Sequence, residues 1–180
     1  MQEPEQDSSP KLIVPAANES GMTALHYAAY RNDAENVRSE LRRGIPVDIR
    51  DDNGWAPLHW SIDMAEACGE PEKVVRLLLD QGASVNSIDN AGLSVLMIAC
   101  GRNNEIIFDQ LIDRGADITV TNATGATALH EAAGCNFTVA IRRLLKLGAD
   151  PRQRDNLGRT PGQTAEACGF LESAALLKSS

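Results

Sequence analysis

Long apolar runs are missing from this sequence. No stretch of its 180 residues approaches the roughly 18 apolar residues that a bilayer crossing needs, so no membrane span is predicted. Met1–Ser20 is polar and acidic, with no apolar run beyond Leu12-Ile13-Val14, and no secretory leader is expected. Aromatic residues are scarce: two Trp, two Tyr and three Phe. Small apolar side chains are plentiful instead, which suits closely stacked helices and argues against one deep globular pocket. Basic residues are also short, 17 against 25 acids, for a net charge of −8. Non-specific nucleic-acid binding rests on neutralising phosphates, so this balance argues against it.

The patterns that carry catalysis are absent too. There is no phosphate-binding loop, no dinucleotide glycine pattern and no Gly-x-Ser-x-Gly. His130-Glu131 opens like a zincin helix, but Gly134 stands where the second His is needed. The cysteines Cys68, Cys100, Cys135 and Cys168 have no Cys-x-x-Cys pairing. The last three are spaced 35 and 33 apart, which predicts a ladder of small reduced core residues. Neighbouring helices in a stack sit about 8–10 Å apart, beyond the span of about 7 Å that a disulfide tolerates. A reducing compartment follows, cytoplasm or nucleus. No catalytic residue, metal or cofactor is expected.

What is present is self-similarity. Gly125-Ala-Thr-Ala-Leu-His-Glu-Ala-Ala133 is closely repeated by Gly21-Met-Thr-Ala-Leu-His-Tyr-Ala-Ala29 and Gly54-Trp-Ala-Pro-Leu-His-Trp-Ser-Ile62. Gly92-Leu-Ser-Val-Leu-Met-Ile-Ala-Cys100 is a weaker copy, and Gly158-Arg-Thr-Pro-Gly-Gln-Thr-Ala-Glu166 keeps the frame alone. The opening glycines are 33, 38, 33 and 33 residues apart, a period that marks a stacked repeat protein. A second copied element ends each middle unit: Leu77-Leu-Leu-Asp-Gln-Gly-Ala-Ser-Val-Asn86, Leu111-Ile-Asp-Arg-Gly-Ala-Asp-Ile-Thr119 and Leu144-Leu-Lys-Leu-Gly-Ala-Asp-Pro151.

Together the two elements resemble the ankyrin repeat over about residues 18 to 180. The departures are local. Met97 and Gln163 replace the repeat's His, Ile45-Pro46 replaces Ala-Asp, and the second unit carries five extra residues within 63–73. The resemblance implies an all-α solenoid of helix-turn-helix units with short β-hairpin fingers. Its domain would run over 12–180, with units starting near 18, 51, 89, 122 and 155, the fifth unit a cap, behind a disordered tail over 1–11. Leu12-Ile13-Val14 reads as a half-hairpin on the first unit.

Local chemistry supports that frame. Asp/Asn-x-x-Gly makes a tight turn, Thr23, Thr127 and Thr160 stand at helix starts as caps, and Pro57 and Pro161 suit a first helical turn. Val37 and Leu41, then Val74, Leu77 and Leu78, Ile106, Ile107 and Leu111, and Ile141, Leu144 and Leu145 fall at helical spacing. Gly44, Gly82, Gly115 and Gly148 end those helices. The extra residues of the second unit lie between its helices, either as a tolerated insertion or as a contact loop.

With no chemistry to perform, the resemblance implies binding to another protein on the concave face of finger tips and first helices. Matching positions are Met22, Tyr30, Arg31, Asp52, Asn53, Trp55, Asn90, Leu93, Arg102, Ala126, Asn156 and Arg159. The function implied is a monomeric scaffold or adaptor, or alternatively a dedicated inhibitor that blocks an enzyme with its acidic surface. Charge is uneven: nine acids and three bases between Asp48 and Asp89, six bases and two acids between Arg142 and Arg159. The acidic stretch favours a partner with a basic surface. Trp55 follows a turn glycine, a position that usually faces solvent, and is expected to be an exposed anchor; Trp60 is expected to pack in the core. His26, His59 and His130 share one frame position, where the family's imidazole supports the turn. Asn86, eight residues after Leu78, resembles ankyrin asparagines that a eukaryotic asparagine hydroxylase modifies.

Overall fold

The computed structural model describes residues 18, 20–65 and 69–178. The tail over 1–11, the half-hairpin at 12–14 and Cys68 lie outside them. Among the described residues the chain forms ten helices in five consecutive pairs. These are α1 (Ala24–Tyr30) with α2 (Ala34–Arg42), α3 (Pro57–Asp63) with α4 (Pro71–Asp80), and α5 (Val95–Gly101) with α6 (Glu105–Asp113). Then come α7 (Ala128–Gly134) with α8 (Thr138–Lys146), and α9 (Pro161–Ala167) with α10 (Leu171–Lys178). The first helix of each pair packs on the first helices of its neighbours, and the second helices form a parallel row behind them. This is the all-α solenoid.

The core is the seam between the two rows. Each unit up to the fourth gives it one leucine four residues after the turn glycine: Leu25, Leu58, Leu96 and Leu129, all buried. The second helices answer with Val37, Val75, Phe108 and Ile141, which are fully buried. Burying each such side chain stabilises the fold by roughly 1.5–3 kcal/mol. Phe108 meets Phe137 of the next unit edge to face, with centroids 5.7 Å apart. In the fifth unit Gly162 takes the leucine position, and Leu177 packs close to it. One expected core position differs: Ile106 is 58% exposed, because it starts α6 on the side turned away from the seam.

The fingers depart from the expected hairpins. Among the described residues they hold no strand, only one isolated bridge between Ile88 and Ser94. Side-chain chemistry replaces a ladder. The Oδ1 of Asn18, Asp51, Asp89, Asn122 and Asp155 accepts the amides two and four residues on, at 2.8–3.0 Å. Each turn is thereby closed from within, and the following glycine, at φ +79 in Gly54, lets the chain double back. Adjacent tips are stitched by single backbone bonds: Asp52 to Ser20 (3.2 Å), Asn90 to Asn53 (3.0 Å), Ala123 to Ala91 (2.7 Å) and Asn156 to Thr124 (2.8 Å). A Cβ on Gly54 would sit 2.4 Å from Asn90 Oδ1, so the glycine is also required for this approach.

Helix starts follow the sequence, with one change of agent. Thr160 Oγ1 accepts from the Gln163 amide as a capping hydroxyl should. In α1 and α7 the histidine does more. The Thr23 amide donates to His26 Nδ1 (3.0 Å) and the Thr127 amide to His130 Nδ1 (3.2 Å). An Nδ1 that accepts carries no proton, so Nε2 holds it and donates across to the next unit, to the Trp55 and Arg159 carbonyls. Each of these imidazoles therefore caps its own helix and ties two units. His59 caps Ala56 in the same way (3.1 Å), but its buried Nε2 finds no partner.

The cysteine ladder is corrected in part. Cys100, Cys135 and Cys168 are free thiols, yet only Cys100 is buried; Cys135 is half-buried and Cys168 exposed. The physical reason is register: Cys100 lies eight residues after its turn glycine, the other two lie ten, past the helix end. The described part of the extra loop returns onto the first unit. The Glu70 amide donates to the Asn32 carbonyl (3.1 Å), and Asn32 Nδ2 donates to the Met64 carbonyl (3.2 Å).

Candidate functional site

One face of the stack gathers aromatic and acidic side chains. It is built from the position six residues after each turn glycine, on the first helices: exposed Tyr27, half-buried Trp60, Glu131 and Thr164, and buried Ile98. The turn residue of the same finger reaches this position with its second polar atom, and its chemistry matches what it meets. Asn18 Nδ2 donates to the Tyr27 hydroxyl (2.7 Å), Asp51 Oδ2 accepts from the Trp60 indole (3.0 Å), and Asn122 Nδ2 approaches Glu131 at 3.5 Å. An amide donor faces each oxygen, and a carboxylate faces the indole N–H. In the third unit Ile98 offers no polar atom, and Asp89 instead accepts from the Trp55 indole of the preceding unit (2.9 Å).

These bonds fix an aromatic cluster across the first two units. Tyr30 meets Trp60 edge to face at 5.8 Å, Trp60 meets Trp55 at 4.8 Å, and Trp55 lies over His59 at 5.7 Å. The expected division of labour between the tryptophans is corrected. Trp55 is half-buried and held across the seam by Asp89, because its ring folds back over the His59 imidazole instead of projecting into solvent. Trp60 is half-buried as well, with its indole directed at the turn, so neither ring is core and neither is free. Two hollows flank Trp55. One, of about 310 Å³, is lined by Asn53, Trp55, Trp60, Asp89, Asn90 and Ala91. The other, of about 170 Å³, lies between Trp55, Leu93, Met97, Ile98, Asp63, Arg102 and Glu131, against Gly101.

The structure thus brings Tyr30, Asn53, Trp55, Asn90, Leu93 and Arg102 into one region. Asp52 and Asn90 stand at adjoining finger tips, where Asn90 Nδ2 donates to the Asp52 carbonyl (3.0 Å). Asn90 and Asn156 spend their amides stitching tips together, Asn156 to the Ala123 carbonyl at 2.9 Å. Ala126 is buried, which leaves it little surface to offer. Met22 is half-buried under Asn18, and Arg31 is exposed at the end of α1. Arg159, three units along from Trp55, is clamped by Asp155 at 2.8–2.9 Å. Sequence reasoning missed Trp60, Asp63, Met97 and Glu131 as lining residues. The signal was available: Trp60 and Glu131 share Tyr27's offset of six from the turn glycine and Asp63 shares Tyr30's offset of nine, while Met97 takes the histidine position one residue earlier.

The electrostatics are those of a surface that has lost its cations to internal work. Arg50 reaches the Gly54 and Ile88 carbonyls and Ser87 Oγ. Arg102 bridges units by binding Asp63, with Nε 3.0 Å from Oδ1. Glu131 forms no ion pair among the described residues, and burial pushes its carboxyl above the usual glutamate range. Burial likewise holds His26 and His130 below the usual imidazole value, and brings His59 to about 4, with Arg50 adding to the effect. No group of metal-ligating side chains occurs among the described residues, and none of their helices is long and apolar enough to cross a membrane.

Comparison with known proteins fits the geometry. A family model described as ankyrin repeats (3 copies) matches residues 8–89 and 96–180. Among curated relatives, the acyl-CoA-binding domain-containing protein 2 of Arabidopsis thaliana is 35% identical over 66 residues, 37% of this chain and 17% of that protein. Protein phosphatase 1 regulatory subunit 12A of Mus musculus is 32% identical over 80 residues, 44% of this chain and 7% of the relative. Ankyrin repeat and SOCS box protein 6 of Mus musculus is 34% identical over 86 residues, 47% of this chain and 19% of the relative. The matched stretch thus spans less than a fifth of each of these relatives.

Proposed function

The chain belongs to the ankyrin-repeat family, and from that premise we propose that it is a non-catalytic protein-interaction module whose partner lies along the finger and first-helix face. Repeats of this family generally bind other proteins, and one relative is by name a regulatory subunit. The observation that carries the choice of face is the aromatic cluster of Tyr30, Trp60 and Trp55 beside Asp51, Asp63, Asp89 and Glu131. Partly exposed aromatics of fixed orientation bind at low entropic cost. The carboxylates around them favour a basic partner surface. The free thiols of the described cysteines fit a reducing compartment.

Affinity capture from the native source tests this with three baits. They are the wild type, Tyr30→Ala combined with Asp52→Arg, and Ile106→Ser as a control on the opposite row. A partner lost with the double variant and kept with Ile106→Ser supports the face. A partner lost with Ile106→Ser instead would place binding on the second helices. A captured enzyme whose activity the purified chain suppresses would make the module an inhibitor instead of an adaptor.

A further inference from the structure

We infer that the hollow between Trp55 and Glu131 receives a basic side chain, arginine or lysine, from an extended segment of the partner; this rests on the face assignment above. The hollow has an aromatic wall in Trp55, aliphatic walls in Leu93, Met97 and Ile98, and carboxylates at its end in Asp63 and Glu131. A long cationic side chain matches each part: its methylenes pack on the aliphatic walls, its charge lies over the indole, and its donors reach the carboxylates. The two carboxylates are not equivalent. Asp63 is engaged by Arg102. Glu131 makes one long contact, to Asn122 Nδ2 at 3.5 Å, and the nearest lining cation is committed to Asp63. A half-buried carboxylate with so little compensation is stabilised by an incoming cation more than a solvated one would be. The indole is locked in place by Asp89, so this wall is set before any partner arrives. The hollow of about 310 Å³ on the other side of Trp55 continues the track toward Asn53 and Asn90, which suits an extended backbone.

The test uses nuclear magnetic resonance, because the chain has two tryptophans and so two indole N–H signals. The probes are an acetylated nonapeptide alternating alanine and arginine, its lysine counterpart and its citrulline counterpart, the last keeping shape without charge. The arginine or lysine peptide should move the Trp55 indole signal, and the citrulline peptide should bind about tenfold more weakly. Glu131→Gln should cost about tenfold in affinity for the charged peptides and nothing for citrulline. Arg102→Gln, which frees Asp63, should tighten binding; if it weakens binding, Arg102 is the contact group and the inference is overturned. If Glu131→Gln changes nothing while Trp55→Phe or Tyr30→Ala weakens binding, the basic-side-chain pocket fails and the face assignment stands. If none of these variants matters, both fail.

Discussion

Single residues here do two jobs at once, and their substitutions should separate them. Asp51 closes its turn with Oδ1 and orients Trp60 with Oδ2; Asp89 does the same for Trp55 across the seam. Trp55→Phe keeps an aromatic ring but loses the indole N–H bond to Asp89, so it should cost about 1 kcal/mol or somewhat more in a denaturant titration. Trp55→Ala also removes the ring packed on His59 and Trp60 and should lower the melting temperature further; an unchanged value would restore the reading of Trp55 as a free anchor. The histidines give a pH dependence with a definite sign. Their folded pKa values lie below the unfolded value of 6.5, His59 at about 4, so their stabilisation is complete above 6.5 and is lost as pH falls from there toward 4. His59→Met, which copies Met97 at the same frame position, should flatten the melting temperature between those pH values; an unaltered slope would assign it to other groups.

At the scale of the element, the turn glycines and the helix-ending glycines differ in what surrounds them, which the sequence does not show. Gly82 ends α4 at φ +90 with nothing within 4 Å of an added Cβ, whereas Gly54, at φ +79, meets Asn90 Oδ1 at 2.4 Å and its amide at 2.9 Å. Gly82→Ala should therefore cost only the left-handed backbone, about 1 kcal/mol. Gly54→Ala adds a collision that pries apart two fingers, and thermal unfolding should show a clearly larger loss. Equal losses would mean that the finger yields without consequence. The second helices were readable from spacing because a helix must turn its apolar stripe inward. Ile106 was misplaced because Ile107, Phe108 and Leu111 form the buried stripe of α6, and two adjacent isoleucines cannot both point into it.

For the whole molecule, stability is a sum of units and seams. Phe108 belongs to the middle unit and touches Phe137 in the next, so Phe108→Ala should cost about 3–5 kcal/mol and loosen both seams. Hydrogen exchange should then speed up in α6 and α8 before α1 or α10; a uniform acceleration would mean that the stack unfolds as one piece. The binding face is likewise a property of the stack, since Trp55, Met97 and Glu131 come from three consecutive units.

The repeat frame, the helix pairs and the turn chemistry were determined by the sequence alone, because each depends on residues within one period. A turn aspartate closes its own loop, a glycine ends its own helix, and a leucine recurs where the seam must be filled. What only the tertiary structure decided crosses from one unit to another. Asp89 draws Trp55 down, Arg102 pairs with Asp63 and not with Glu131, and Cys135 falls outside the core that holds Cys100. These outcomes turn on distances between side chains about 30 to 40 residues apart in the chain, set by how closely neighbouring units stack.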